Sequence, residues 1–182
     1  GTSATLTETA NKSGQILRSP WTLTDTLTSA STEAPRQCQG GHIVDKTLSV
    51  AVIGAGMAGT THANAWRQVG TVFDLGLPKV RLAAIADAYE PFAQDAAQRY
   101  GYQRAVTDWH EIADDPDIDM VSVVVGNALH REIAETMIRA GKHVLCEKPL
   151  ADTLENAKAM AQAEEDHPEI ITSTGFTYRR NA

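Results

Sequence analysis

Three short stretches of this chain combine residue types and spacings that can do chemistry. Gly54-Ala55-Gly56-Met57-Ala58-Gly59 is a G-x-G-x-x-G. After a strand and at the start of a helix, such a run can hold a pyrophosphate. Gly54 permits a tight turn, Gly56 lets the backbone approach the ligand, and Gly59 lets helix and strand pack closely. The N–H groups around Gly56, Met57 and Ala58 then face phosphate at the helix start, where the helix dipole favours an anion. A glycine turn without a ligand is the alternative. The second stretch is Ile85-Ala86-Asp87, the end of an apolar run. A carboxylate there can accept hydrogen bonds from ribose hydroxyls. It follows Gly59 by 28 residues, against about 20 in the usual fingerprint. Ala88 and Tyr89 come next, so no cation stands beside Asp87 to welcome a 2′-phosphate. NAD is therefore favoured over NADP, unless Asp87 merely caps the following helix. The third stretch is Glu147-Lys148-Pro149, directly after an apolar segment. Ligands of open α/β sheets bind beyond the carboxyl ends of strands, which is where this pair falls. Proline restricts Lys148 to an extended backbone. A solvated pair on a surface turn fits the spacing equally.

The elements that must position these residues alternate along the chain. Short β-branched or apolar runs predict buried strands at Leu48–Ile53, Val80–Ala86, Met120–Val125, His143–Cys146 and Ile170–Ser173. Helices are predicted at Thr60–Val69, Glu90–Tyr100, Ala128–Ala140 and Leu154–Glu165, with a short one at Asp108–Ala113. Gly101 and Gly141 read as helix stops. Leu129, Ile133, Met137 and Ile138 share one helix face, and Trp66 and Trp109 read as core. Buried strands joined by crossover helices give an α/β fold of the Rossmann type: a doubly wound parallel sheet, covered on both faces.

Composition narrows the function. The chain has 182 residues and a net charge of −7, which argues against nucleic acid as a partner. No apolar run is long enough to span a bilayer, so no membrane partner is expected. Two cysteines make no disulfide framework, and the reading is a reduced, cytoplasmic chain. Cys146 sits inside a strand as a small core residue. Six histidines show no metal-ligand spacing, so no metal is expected. Asp114-Asp115-Pro116-Asp117 reads as a solvated turn. Residues 1–47 hold ten Thr and five Ser, and their charges cancel. They read as a polar, flexible arm with too little apolar surface to offset its ordering entropy. The domain proper is placed at 48–176. Residues 177–182 read as the start of a connection cut in mid-course.

These motifs together resemble the glucose–fructose oxidoreductase / inositol dehydrogenase / MocA (Gfo/Idh/MocA) family over about residues 48–182. The matching residues are Val52 to Gly59 with His62, then Ala86-Asp87, then Asn127-Ala128-Leu129-His130. They continue with Gly141 to Ala151, which contains Glu147-Lys148-Pro149, and with Gly175 to Arg180. The resemblance implies NAD binding and hydride transfer to or from a secondary alcohol of a sugar or cyclitol. It places Val125, Gly126, Asn127, His130 and Glu147 with the cofactor. It gives Lys148 contact with both nicotinamide and substrate, as the catalytic residue. Val125-Gly126 stands where many members have Thr-Pro. The resemblance also implies a second, antiparallel-sheet domain with the substrate pocket and the homo-oligomer interface, of which this chain shows no part. A relative that uses NAD transiently to cleave a glycosidic bond, a non-catalytic dinucleotide sensor and a partner domain acting in trans are the alternatives.

Overall fold

The computed structural model describes residues 47–72 and 76–180. The arm proposed from the sequence, residues 1–46 of it, lies outside them. The strands are β1 (Leu48–Ile53), β2 (Val80–Ala86), β3 (Arg104–Val106), β4 (Met120–Val123), β5 (His143–Cys146) and β6 (Thr172–Thr174). The helices are α1 (Met57–Val72), α2 (Glu90–Tyr100), α3 (His110–Ala113), α4 (His130–Arg139) and α5 (Leu154–Glu165). Single 3-10 turns cover Asn127–Leu129 and Thr177–Arg180.

All strands are parallel, in the order β3-β2-β1-β4-β5-β6. Alternation along each strand feeds two cores. Ala51, Ile53, Ala84 and Ala86 face one side, with Ile133, Met137 and Ile138 of α4 and Met160 of α5. Val52 and Ile85 face the other, with Ala63 of α1 and Ala96 and Ala97 of α2. A strand buried on both faces has no reason to alternate polar and apolar residues, which is why the sequence shows unbroken apolar runs. The order reverses between β1 and β4, and the loops after those two strands part there. Ligands bind at such a switch point.

Several boundaries differ from the sequence reading. α1 begins at Met57, inside the glycine run, because Gly56 already accepts the first helical bond from Thr60 N (2.9 Å). It also runs on to Val72, which accounts for part of the long spacing to Asp87. β3 was not foreseen: it has three residues, and the first two are exposed. β4 stops at Val123, two residues early, and a 3-10 turn precedes α4. The last strand starts two residues later than expected, because Ile170 closes a turn onto His167 O (2.9 Å). Leu129 leaves the α4 core face and is exposed. Gly101 and Gly141 do end helices, each at positive φ.

The acidic turn before β4 is largely exposed, as its sequence suggests, and it is also hydrogen-bonded to the fold. Asp115 pairs with Arg104, Asp119 Oδ2 accepts from Ser49 N (2.8 Å), and Arg81 donates to Asp117 O (2.5 Å). The Lys142 ammonium is buried and donates to Asp115 O (2.6 Å) and Ile118 O (3.1 Å). Burial pulls its pKa below the usual lysine value, while the neighbouring aspartates push it back up.

Candidate functional site

At the switch point an open cleft of about 350 Å³ runs between the loops after β1, β2 and β4. Its walls include Gly54, Gly56, Asp87, Val125 and Gly126, five residues picked from the sequence. Ala88, Thr107, Trp109, Leu129 and Ile133 also line it, and sequence reasoning missed their role. Trp109 stands between core and cleft: it packs on the core from one side and stacks on the His110 ring at 3.7 Å. Its helical spacing showed only the core half. Leu129 is exposed because it borders this cleft.

The three glycines of the motif differ in what surrounds them. A Cβ on Gly54 would lie 2.0 Å from Val124 O, and the residue holds φ +104°. A Cβ on Gly59 would lie 1.8 Å from Gly54 O. Both positions are closed by backbone. Around a Cβ on Gly56 there is nothing within 4 Å, although Gly56 borders the cleft. The N–H groups of Gly56, Met57, Ala58 and Gly59 donate to no partner among the described residues. They head a helix of 16 residues, whose dipole adds positive potential at that end. A bare Cα with open space and a row of unmet donors suits a pyrophosphate. The Met57 side chain points to solvent.

Asp87 directly follows β2, beside this loop. Its Oδ2 accepts from Ala55 N (2.8 Å) and its Oδ1 from Tyr89 N (2.9 Å). The carboxylate therefore ties the glycine loop to the β2 end and is fixed in orientation. The residue capping α2 is Tyr89, not Asp87. Each carboxylate oxygen keeps a lone pair for a ribose hydroxyl. None of the residues lining the cleft is cationic, so a 2′-phosphate beside Asp87 would have no counter-charge there. The residues present fit a dinucleotide.

The other picked residues lie outside the cleft lining. Asn127 opens the 3-10 turn after Gly126. His130 is fully buried at the start of α4. Its Nδ1 is 2.9 Å from Pro149 O and 3.3 Å from Leu150 O, and its Nε2 is 3.0 Å from Val125 O. The ring thus bridges the cleft loop after β4 and the segment after β5. Lys148 is exposed at the carboxyl end of β5, before a cis Lys148-Pro149 bond. Glu147 turns inward: its Oε1 meets His62 Nε2 at 3.2 Å, and its Oε2 accepts from Lys148 N at 2.8 Å. Cys146 is buried in β5, and burial pushes its thiol up to about 12. Among the described residues no cluster could hold a metal ion, and no helix is long and apolar enough to cross a membrane.

Comparison with known proteins agrees with this geometry. A family model for the Gfo/Idh/MocA oxidoreductases, NAD-binding Rossmann fold, matches residues 48–175. Levoglucosan dehydrogenase of Pseudarthrobacter phenanthrenivorans is 40% identical over 135 residues, covering 74% of this chain and 34% of the relative. Inositol 2-dehydrogenase of Salmonella typhimurium is 30% identical over 134 residues, covering 73% of this chain and 38% of the relative. A solved structure of levoglucosan dehydrogenase in complex with NADH superimposes with a TM-score of 0.71 at 40% identity, over 74% of this chain and 36% of the other. The chain spans about a third of the length of these relatives.

Proposed function

The chain belongs to the Gfo/Idh/MocA oxidoreductase family through its NAD-binding Rossmann domain, and from that membership we propose that it is the cofactor-holding part of an NAD-linked dehydrogenase. The substrate class is a secondary alcohol on a sugar or cyclitol, as the names of the levoglucosan and inositol dehydrogenases suggest. The observation that carries the reading is the open space over Gly56 beside the unmet N–H groups of the α1 start, with Asp87 across the cleft.

NAD, when bound, supplies the hydride acceptor. The chain's own residues divide the remaining work. Gly56, Met57 and Ala58 present backbone donors to the pyrophosphate. Asp87 accepts from the adenosine ribose hydroxyls, and Thr107, Trp109 and Leu129 line the cleft around it. Val125 and Gly126 line the β4 side of the cleft, followed by Asn127 at the start of the 3-10 turn, and His130 holds Val125 O. Lys148, exposed at the end of β5, stabilises the developing alkoxide and shares in moving the hydroxyl proton.

Titration calorimetry tests the reading. NADH should bind at least about 10-fold tighter than NADPH, a gap of roughly 1.4 kcal/mol. Asp87→Ala should narrow that gap by removing the repulsion of a 2′-phosphate. Equal or tighter NADPH binding by the unaltered chain overturns the cofactor assignment. NADH production from levoglucosan and from myo-inositol by the intact polypeptide tests the substrate class.

A further inference from the structure

His62 belongs to the motif that marks this chain, yet the reading above gives it no task. It lies on α1, one turn beyond the glycine loop, and is mostly buried. Its Nε2 meets Glu147 Oε1 at 3.2 Å across 85 residues of sequence. An ionised carboxylate can only accept, so Nε2 carries the proton. The second oxygen of Glu147 accepts from the backbone N–H of Lys148 at 2.8 Å. Glu147 is itself mostly buried, so both oxygens are held by protein.

A third residue completes the arrangement. Gly175 follows β6 and donates its N–H to Cys146 O (2.9 Å), directly before Glu147. A Cβ at Gly175 would lie 2.7 Å from Glu147 Oε1. The carboxylate occupies the space a side chain would need. Its neighbours therefore come from three separate parts of the chain: α1, the end of β5 and the segment beyond β6.

We propose that His62, Glu147 and Gly175 form a brace that fixes the backbone at Lys148, with Glu147 acting as a positioning residue. The brace rests on the role assigned to Lys148 above. Its logic is mechanical. Lys148 Nζ sits at the end of four rotatable bonds, so a small backbone rotation moves the ammonium by ångströms. Proline holds one side of the residue, and the Glu147 carboxylate holds the N–H on the other. His62 keeps that carboxylate from swinging out to water, and it couples the helix that carries the glycine loop to the strand end that carries the lysine.

Two readouts on this chain test the brace. The first is hydrogen exchange of the Lys148 amide, which needs no ligand. In Glu147→Ala it should exchange at least about 10-fold faster, as a lost charge-assisted hydrogen bond predicts. His62→Ala and Gly175→Ala should give smaller increases, the second by steric displacement with no change of charge. Glu147→Gln should stay near the unaltered rate, because its amide oxygen still accepts and its amide nitrogen can donate to His62 in the other tautomer. The second readout compares NADH with ADP-ribose, which lacks the nicotinamide. Glu147→Ala should weaken NADH by about 5-fold and leave ADP-ribose unchanged. Unaltered amide exchange in both Glu147→Ala and His62→Ala overturns the brace, and so does an equal loss of both ligands. Should Glu147→Ala not fold, His62→Ala, Gly175→Ala and Glu147→Gln still decide it. Lys148→Ala separates the two ideas: a normal turnover rate of the intact polypeptide with that substitution removes the role of the lysine, while amide exchange alone judges the brace.

Discussion

A glycine motif is usually read as one unit, yet its three glycines face different neighbours here. Gly54 and Gly59 are closed by backbone oxygens at 2.0 and 1.8 Å from where a Cβ would sit. Backbone cannot step aside as a side chain can, so an added methyl must distort the turn. At Gly54 the positive φ adds strain. Gly54→Ala and Gly59→Ala should each cost about 2 kcal/mol or more in urea denaturation. Gly56 has open space on the protein side, so Gly56→Ala should leave the unfolding midpoint unchanged or slightly higher. Its cost should appear in binding, with NADH affinity falling about 10-fold or more as the methyl enters the phosphate path. A Gly56→Ala chain that binds NADH normally would refute the assignment of Gly56 to the ligand. The sequence assigns the three glycines different tasks, and their surroundings agree; what it could not show is that Gly54 is closed by Val124 O, 70 positions further on. Glu147 was picked from the sequence, but the direction of its carboxylate was hidden for a similar reason. Its partner His62 stands 85 residues away, and nothing in the local spacing of Glu147-Lys148-Pro149 shows which way the carboxylate turns.

At the scale of elements, legibility followed length and burial. β1 and β2 were readable as unbroken apolar runs because both of their faces are covered. β3 was invisible, since Arg104-Ala105-Val106 has one buried residue and no room for a period. α4 was read two residues early because Leu129 has the right spacing for the core but borders the cleft instead. The contact between α5 and β6 carries a conflict that no periodicity reveals. Glu164 is buried on α5, and its Oε2 has no hydrogen-bond partner; the buried hydroxyls of Thr172 and Thr174 on β6 have none either. Burial raises the Glu164 pKa above the usual glutamate value. A folded-state pKa above the unfolded one means that the native chain binds more protons in the interval between them. Stability from this group therefore falls as pH rises through that interval, and at neutral pH the group is a cost. Glu164→Gln should stabilise the chain at pH 7 by about 1 kcal/mol, the scale of a relieved buried polar group. The gain should shrink toward pH 4, where the native glutamate is itself neutral. A gain of the same size at both pH values would refute this account.

For the whole molecule, the parallel sheet with a two-sided core was legible from the alternation of runs and glycine stops, whereas the strand order, with β3 at its edge, was not. We propose that the folded unit begins at the start of β1. Val50, Ala51 and Val52 are inaccessible to solvent within the first five residues of the strand, and Leu48 N already donates to Lys79 O (2.8 Å). A chain starting at Asp45 should melt within a degree or two of the full sequence and bind NADH equally. A loss of more than about 1 kcal/mol of stability would show that residues 1–44 contribute to the fold. The strand order also sets a sequence of events. β1 pairs with β4, Val50 standing opposite Met120, and Gly54 is closed against Val124 O. The glycine loop is thus made early by the ribosome but has no floor until the chain has been synthesised past Val125. Non-local pairings of this kind form slowly, after the entropy of a long loop has been lost. A nascent chain that has emerged only through β3 carries the whole nucleotide motif in its sequence but lacks the wall from Val124 to Gly126 against which that motif must close.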